Sequence, residues 1–288
     1  LVGNFLGDIP VSILTSDHFD ALVSSWRSKG LAERTIRTRI NTTSNMLDWC
    51  VYKGILSANL LSYHKKTQKR IGGVVDIHND VLSQAEHEAL KAAMLSVWET
   101  KRHQAPQLNN HFYPCYLLAY ETGMRQGEIA ALKWSCVNLA TCTITVEANL
   151  IKRTHNLELS TPKTSAGFRD IVVSKDLRNL LVEYKGLCGD TNRYDFVFCK
   201  REKGKGLPFS LNSYKEGFDA FKKAAGLTRP FRFHDIRHTN ASLMIAKGVP
   251  VPVITARLGH SSVEVTYRTY AHMLNEHKEK YQAVIEAL

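Results

Sequence analysis

His234-Asp235-Ile236-Arg237-His238 opens the stretch that organises this chain. Leu258-Gly259-His260-Ser261-Ser262 and then Thr266-Tyr267-Arg268-Thr269-Tyr270 close it. These blocks hold three histidines, two arginines and two tyrosines on short amphipathic segments. Cationic groups gather round a phosphate, and a tyrosine hydroxyl is a candidate nucleophile towards one. His234 and Arg237 stand three apart and share a helix face, with Ala241, Leu243, Met244 and Ala246 on its apolar side. The four-apart pair His234 and His238 invites a metal reading, but there is no H-E-x-x-H and no carboxylate at ligand spacing, so no metal ligands are assigned.

Working outward, composition sets the class. The 288 residues, 44% apolar and 23% charged, suit a globular protein of one large or two smaller domains. The formal net charge of +11 favours a polyanionic partner, nucleic acid first; a merely basic protein is the plain alternative. The six cysteines form no C-x-x-C pair and read as reduced, partly buried thiols. No run of 18 apolar residues and no signal peptide is present, so no membrane partner is expected and a cytoplasmic location is. The chain does not begin with Met, which is consistent with a fragment of a longer protein.

Residues 1–72 read as a small all-α unit. Thr15-Ser16-Asp17 can cap a helix carrying Phe19, Leu22 and Val23. A longer helix over about 32–53 carries an apolar stripe of Ile36, Ile40, Leu47 and Val51, with Arg34, Arg37 and Asn41 on another face. A basic run, Lys65, Lys66, Lys69 and Arg70, leads into a linker over 73–80. The second unit, 81–288, opens with the capping box Ser83 and Glu86, followed by Ala85, Leu90, Ala93, Met94 and Val97 as a helical face. Helices over 112–121 and 125–133 follow, then β-type sequence at 143–146, 157–160 and 169–173, with a turn at 161–167. Phe196-Val197-Phe198 is a candidate short strand and 203–206 a basic loop; the rest is helical. The fold class is therefore mainly α with a small antiparallel β-sheet (α+β).

Two further residues bear on the site. Arg125 begins a helix, where free N–H groups attract anions, and Glu128 three residues on can orient its guanidinium; a surface ion pair is the plain alternative. Lys163 follows Pro162 in the turn, at a hairpin tip from which a lysine can reach a groove, although a lone turn lysine is usually just solvated.

The order Arg…Lys…His-x-x-Arg…His…Tyr, with its flanks, resembles the tyrosine recombinases, the phage-integrase family of DNA strand-exchange enzymes. The matching stretches are 122–128, Pro162-Lys163-Thr164, 234–238, and 258–262 through to Tyr270-Ala271-His272. The resemblance implies a small core-binding domain, a larger catalytic domain and a C-terminal oligomerisation helix. It implies that Arg125 and Arg237 clamp the scissile phosphate, that His234 and His260 bond it and assist proton transfer, and that Lys163 is the general acid for the departing 5′ oxygen. Tyr270 would be the nucleophile, forming a 3′-phosphotyrosyl bond, with Glu128 supporting the cations. Tyr267 is the rival nucleophile; the family pattern places the active tyrosine before Ala271-His272.

By the same resemblance the chain is an integrase of a phage or other mobile element that recombines DNA at specific sites. It would act without a cofactor or metal, as a homotetramer on double-stranded DNA core sites, with accessory DNA-bending or excision factors as further partners. Arg34, Arg37, Asn41, Lys65, Lys66, Lys69 and Arg70 are candidate DNA contacts. An arm-type DNA-binding domain would lie before residue 1. A type IB topoisomerase-like enzyme and a catalytically idle DNA-binding regulator on the same scaffold are the rival readings.

Overall fold

The computed structural model of the chain describes residues 7, 9–62, 81–101, 111–153, 156–162, 164–188, 195–202 and 205–271. They are mostly helical, with small antiparallel sheets. The chain divides into two compact units, Leu1–Gly73 and Val74–Leu288. The expected linker over 73–80, the basic run Lys65, Lys66, Lys69 and Arg70, and the expected terminal helix beyond 271 lie outside the described residues.

In the first unit α1 (Ser16–Ser28) starts at Thr15, whose hydroxyl stands 2.8 Å from His18 Nδ1 in a capping box. Helix α2 (Glu33–Tyr52) buries Ile36, Ile40, Leu47 and Cys50. Val51, expected on that stripe, is only half-buried, because the 100° helical step carries it to the stripe's edge while Cys50 takes its place. Phe19, Leu22, Val23 and Trp26 close this core against Ile36, Ile40, Leu47 and Leu61. Arg34 and Asn41 are exposed on the opposite side, and Arg37 is half-exposed.

The second unit opens with α3 (Gln84–Lys101). Glu86 Oε2 accepts from the Ser83 backbone N–H at 2.8 Å, and Ser83 Oγ accepts from the Glu86 N–H at 3.3 Å. The helix buries Leu90, Met94 and Trp98; Ala85, expected on this face, is exposed in the first turn. Helix α4 (Phe112–Thr122) is the centre of the unit, packed by α3, α6 (Lys175–Cys188) and α8 (Asp235–Ala246). A short α5 (Gln126–Ala131), α7 (Leu211–Ala224), α9 (Val251–Leu258) and a helix α10 over 263–271 complete the helical part.

The β-structure departs from a single small sheet. Strands β1 (Val137–Asn138), β2 (Thr143–Val146) and β5 (Arg169–Val172) make one sheet; β3 (Asn149–Arg153) and β4 (Asn156–Ser160) make a separate hairpin, and β6 (Cys199–Glu202) and β7 (Lys205–Pro208) another. Residues 161–167 therefore link two sheets and are not a hairpin tip, since β4 pairs with β3 while β5 pairs with β2. Phe196 makes only a bridge to Lys133, and the strand starts at Cys199. Lys205 and Gly206, expected in a loop, lie on β7. None of the six cysteines is in a disulfide, and Cys50, Cys115 and Cys199 are buried.

Candidate active site

Two glycines in the left-handed conformation organise the site. Gly123 ends α4 at φ 65°, and Gly259 ends α9 at φ 68°. Glycine has no side chain to oppose that conformation. Each then turns its carbonyl to an arginine. Arg237, on α8, donates from Nη1 to the Gly123 carbonyl at 2.8 Å and from Nη2 to the Leu258 carbonyl at 2.7 Å. Arg125 donates from Nη2 to the Gly259 carbonyl at 3.1 Å. The two arginines are thus fixed by backbone at the ends of α4 and α9, which the chain brings together from distant positions.

Arg125 is the N-cap of α5 and not its first turn, as its extended ψ of 148° shows. Its Nη1 donates to Glu128 Oε1 at 2.8 Å, and Glu128 Oε2 accepts its backbone N–H at 2.8 Å. The same carboxylate receives Arg169, whose Nη2 stands 2.8 Å from Oε2 and whose Nη1 stands 3.2 Å from Oε1. Arg169 Nε donates to the Arg257 carbonyl at 2.7 Å. Burial alone would raise the Glu128 carboxyl; the bonds and charges of Arg169 and Arg125 hold it below the usual carboxylate range. Arg237 is 4% exposed. Burial first, and then the Arg125 cation, lower its pKa to about 9, so it is still charged at neutral pH.

The histidines stay neutral in this field. His260, past the C-cap of α9, has Nδ1 2.8 Å from the hydroxyl of Thr266, which in turn stands 2.8 Å from the Thr255 hydroxyl. Burial and the Arg237 and Arg125 charges push its pKa down to about 3. Its Nε2 remains for a ligand. His234 is the N-cap residue of α8. Its edge is exposed, yet desolvation and neighbouring Arg237 lower its pKa to about 4.

Tyr270 lies on α10, 1% exposed, packed among Ala241, Ile245, Ile254 and Leu258. Its hydroxyl stands 2.9 Å from His238 Nδ1. Burial raises its pKa above the usual phenol value, and the Arg237 charge opposes that rise. Tyr267, by contrast, is 51% exposed. A cleft of about 360 Å³ is lined by Arg125, Thr161, Pro162, Thr164, Gly259 and Ser261 among others. Lys163 lies outside the described residues; its neighbours on both sides line this cleft. A larger hollow of about 560 Å³ beside His87, Tyr120 and Asn240 holds none of the site arginines. Among the described residues no group of three His, Cys, Asp or Glu is placed to hold a metal ion, and no helix is long and apolar enough to cross a membrane.

The site as a chemical object is a set of fixed guanidinium groups, two neutral imidazoles and a tyrosine, of which Arg125 opens onto the cleft. The family model described as the phage integrase family matches residues 81–277. This chain belongs to the phage integrase family. Among the curated relatives of this integrase-family chain, the ICEBs1 integrase of Bacillus subtilis (strain 168) is 30% identical over 185 residues, which cover 60% of this chain and 48% of that protein. A protein named tyrosine recombinase XerC-like, from Caldanaerobacter subterraneus subsp. tengcongensis, is 26% identical over 302 residues, covering 93% of this chain and 70% of that one. The chain thus spans about half the length of the first relative. Among solved structures, the Tn1549 transposon integrase in complex with transposon right end DNA superposes with TM-score 0.73 at 16% identity, covering 96% of this chain and 88% of that one. A lambda integrase dimer bound to a COC′ core site gives 0.63 at 18% identity, covering 93% and 84%. At these identities the structures share the fold.

Two residues that the structure ties into this cluster carry no site role in the sequence motifs. Arg169 was read only as a strand start, yet it shares a strand face with buried Ile171, and an arginine at an inward-facing strand position is a legible signal of a buried charge partner. His238 was weighed only as a metal ligand; its place one turn past His234 carries no hint of Tyr270, which lies 32 residues away.

Proposed function

We propose that this chain is a site-specific DNA recombinase that cleaves and rejoins strands through a 3′-phosphotyrosyl bond, integrating or excising a mobile element. The observation that carries the reading is the convergence of Arg125, Arg237, His260 and Tyr270, from four separate parts of the chain, on one site held by Gly123, Leu258 and Gly259 carbonyls. Arg125 and Arg237 hold the phosphate through N–H groups that their carbonyl partners leave over, because a guanidinium has five. Neutral His260 donates from Nε2, and His234 bonds a second oxygen from the exposed edge of the site. Preorganised donors of this kind stabilise charge that gathers on phosphoryl oxygens in the transition state. Lys163 protonates the departing 5′ oxygen, and Tyr270 attacks phosphorus. The partner is double-stranded DNA, contacted in the first unit by Arg34, Arg37 and Asn41 and by Lys65, Lys66, Lys69 and Arg70. Four copies act together, joined through the segment after residue 271, in the cytoplasm.

The test is capture of covalent protein–DNA adducts from cells expressing the chain, followed by sequencing of the trapped ends. Wild type should give adducts stable to denaturant at a recurrent sequence, and Tyr270→Phe none. Adducts that persist in Tyr270→Phe would move the nucleophile elsewhere. Relaxation of plasmids that lack the recovered site would favour the topoisomerase reading, and wild type without any adduct the idle regulator.

A further inference from the structure

We propose that His238 is the base that takes the proton of the Tyr270 hydroxyl as it attacks, a role that rests on the recombinase reading of the same site. The bond is already in place, with Tyr270 Oη 2.9 Å from His238 Nδ1. With the hydroxyl as donor, Nδ1 is the acceptor, and the proton of the neutral ring sits on Nε2. His238 is half-buried on α8, with its ring 5.8 Å from that of His234 and 5.9 Å from that of Tyr270.

No other described base is better placed. His260 has its Nδ1 taken up by Thr266 at 2.8 Å. Glu128 is bound to two arginines. A phenol is a weak nucleophile until its proton has somewhere to go, and burial makes Tyr270 weaker still. His238 faces the His234 ring on its own helix and Tyr270 on α10, and it interacts electrostatically with His260 beyond α9. A neutral imidazole is the form able to accept.

The step balances. As Tyr270 Oη bonds to phosphorus, its proton passes to His238 Nδ1. The bond from phosphorus to the 5′ oxygen breaks, and that oxygen takes a proton from the general acid assigned to Lys163. On rejoining, the 5′ hydroxyl attacks the phosphotyrosine, and the His238 imidazolium returns its proton to the departing tyrosine oxygen. No metal, oxidant or cofactor is drawn on.

The experiment measures single-turnover cleavage of a nicked duplex bearing the captured site, from pH 5 to pH 9, for wild type, His238→Asn and Tyr270→Phe. Asparagine puts an amide oxygen where Nδ1 stands, so the hydrogen bond survives while proton acceptance does not. We expect His238→Asn to cleave about 100-fold more slowly or worse at neutral pH. Its rate should climb with pH throughout, closing on wild type as the phenol ionises unaided. Wild type should instead rise and then level off, a break that His238→Asn lacks; His234 and His260, lowered to about 4 and about 3, do not supply it. A 5′-bridging phosphorothiolate, whose leaving group needs no proton, should leave the His238→Asn defect unchanged. Cleavage within threefold of wild type with the same pH profile, or restoration by the phosphorothiolate, overturns the proposal. Absence of an adduct from wild type itself overturns the recombinase reading and this step with it, which separates the two failures.

Discussion

Glu128 has 3% of its side chain exposed and lies between Arg125 and Arg169. Removing one member of a buried ion pair leaves the other charges uncompensated, at a cost of about 3 kcal/mol. Glu128→Gln should therefore lower the unfolding free energy measured in urea by about that amount and release Arg125 from its place, so that cleavage falls more than DNA binding does. Its carboxyl lies below its ordinary 4.5 in the folded state, so its contribution is present above that pH and lost as pH falls through the folded value. His111 is a second residue with a pH signature. It is 3% exposed, stacked 3.8 Å from Phe209, with neither ring nitrogen hydrogen-bonded among the described residues. Burial lowers it from 6.5 to about 3, so the unfolded chain binds the extra proton first, and stability falls as pH drops through that window. His111→Phe should flatten the fall by up to about 1.4 kcal/mol per pH unit, read from urea midpoints at pH 7 and pH 4.5; an unchanged slope would mean that His111 is not neutral in the fold.

At the scale of elements, helix ends matter more than helix bodies. A Cβ on Gly259 would meet Arg169 Nη1 at 2.8 Å and the Ala166 carbonyl at 2.9 Å, and its backbone sits at φ +68°. Gly259→Ala should destabilise the chain by more than about 1 kcal/mol, the cost of the left-handed conformation alone. It should also slow cleavage, because the carbonyl held by Arg125 shifts with it; a variant with wild-type cleavage would separate backbone from site. The helices and their starts were legible because caps and stripes are local: Ser83 with Glu86, Thr15 before Phe19, Ile36 with Ile40 and Leu47. Strand β3 was not, since Asn149-Leu150-Ile151-Lys152-Arg153 gains its structure only from pairing with β4. The site was legible as a list of residue types, through the spacing of its motifs. Its wiring was not: Arg237 reaches a carbonyl 114 residues away, and Arg169 a carboxylate 41 away. Such bonds depend on which helix ends meet, which no local pattern encodes.

Over the whole molecule, the net charge of +11 governs how the proposed recombinase would meet DNA. Residues 34–47 on α2 carry Arg34, Arg37 and Arg39 and no acidic residue, which makes this helix a concentrated cationic stretch of the first unit. Each phosphate contact contributes about 0.9 to the slope of log affinity against log salt. Arg34→Ala should lower that slope by about 1 and weaken binding alike on all sequences, measured by fluorescence anisotropy from 50 to 200 mM salt; an unchanged slope would take α2 off the DNA. The two units build their cores from different residues, Phe19 through Leu61 in one and Leu82 through Ile236 in the other, so such surface changes in the first leave the packing of the second intact.

The burial of Tyr270 has a consequence in time. A hydroxyl on a side chain 1% exposed cannot meet a phosphate until something around it shifts. In the proposed reaction, collision with DNA and cleavage are then separated by a unimolecular step whose rate belongs to the protein. Raising the DNA concentration will speed cleavage only up to the ceiling that this step sets, and a chain that has not yet made room for the phosphate holds DNA without cutting it.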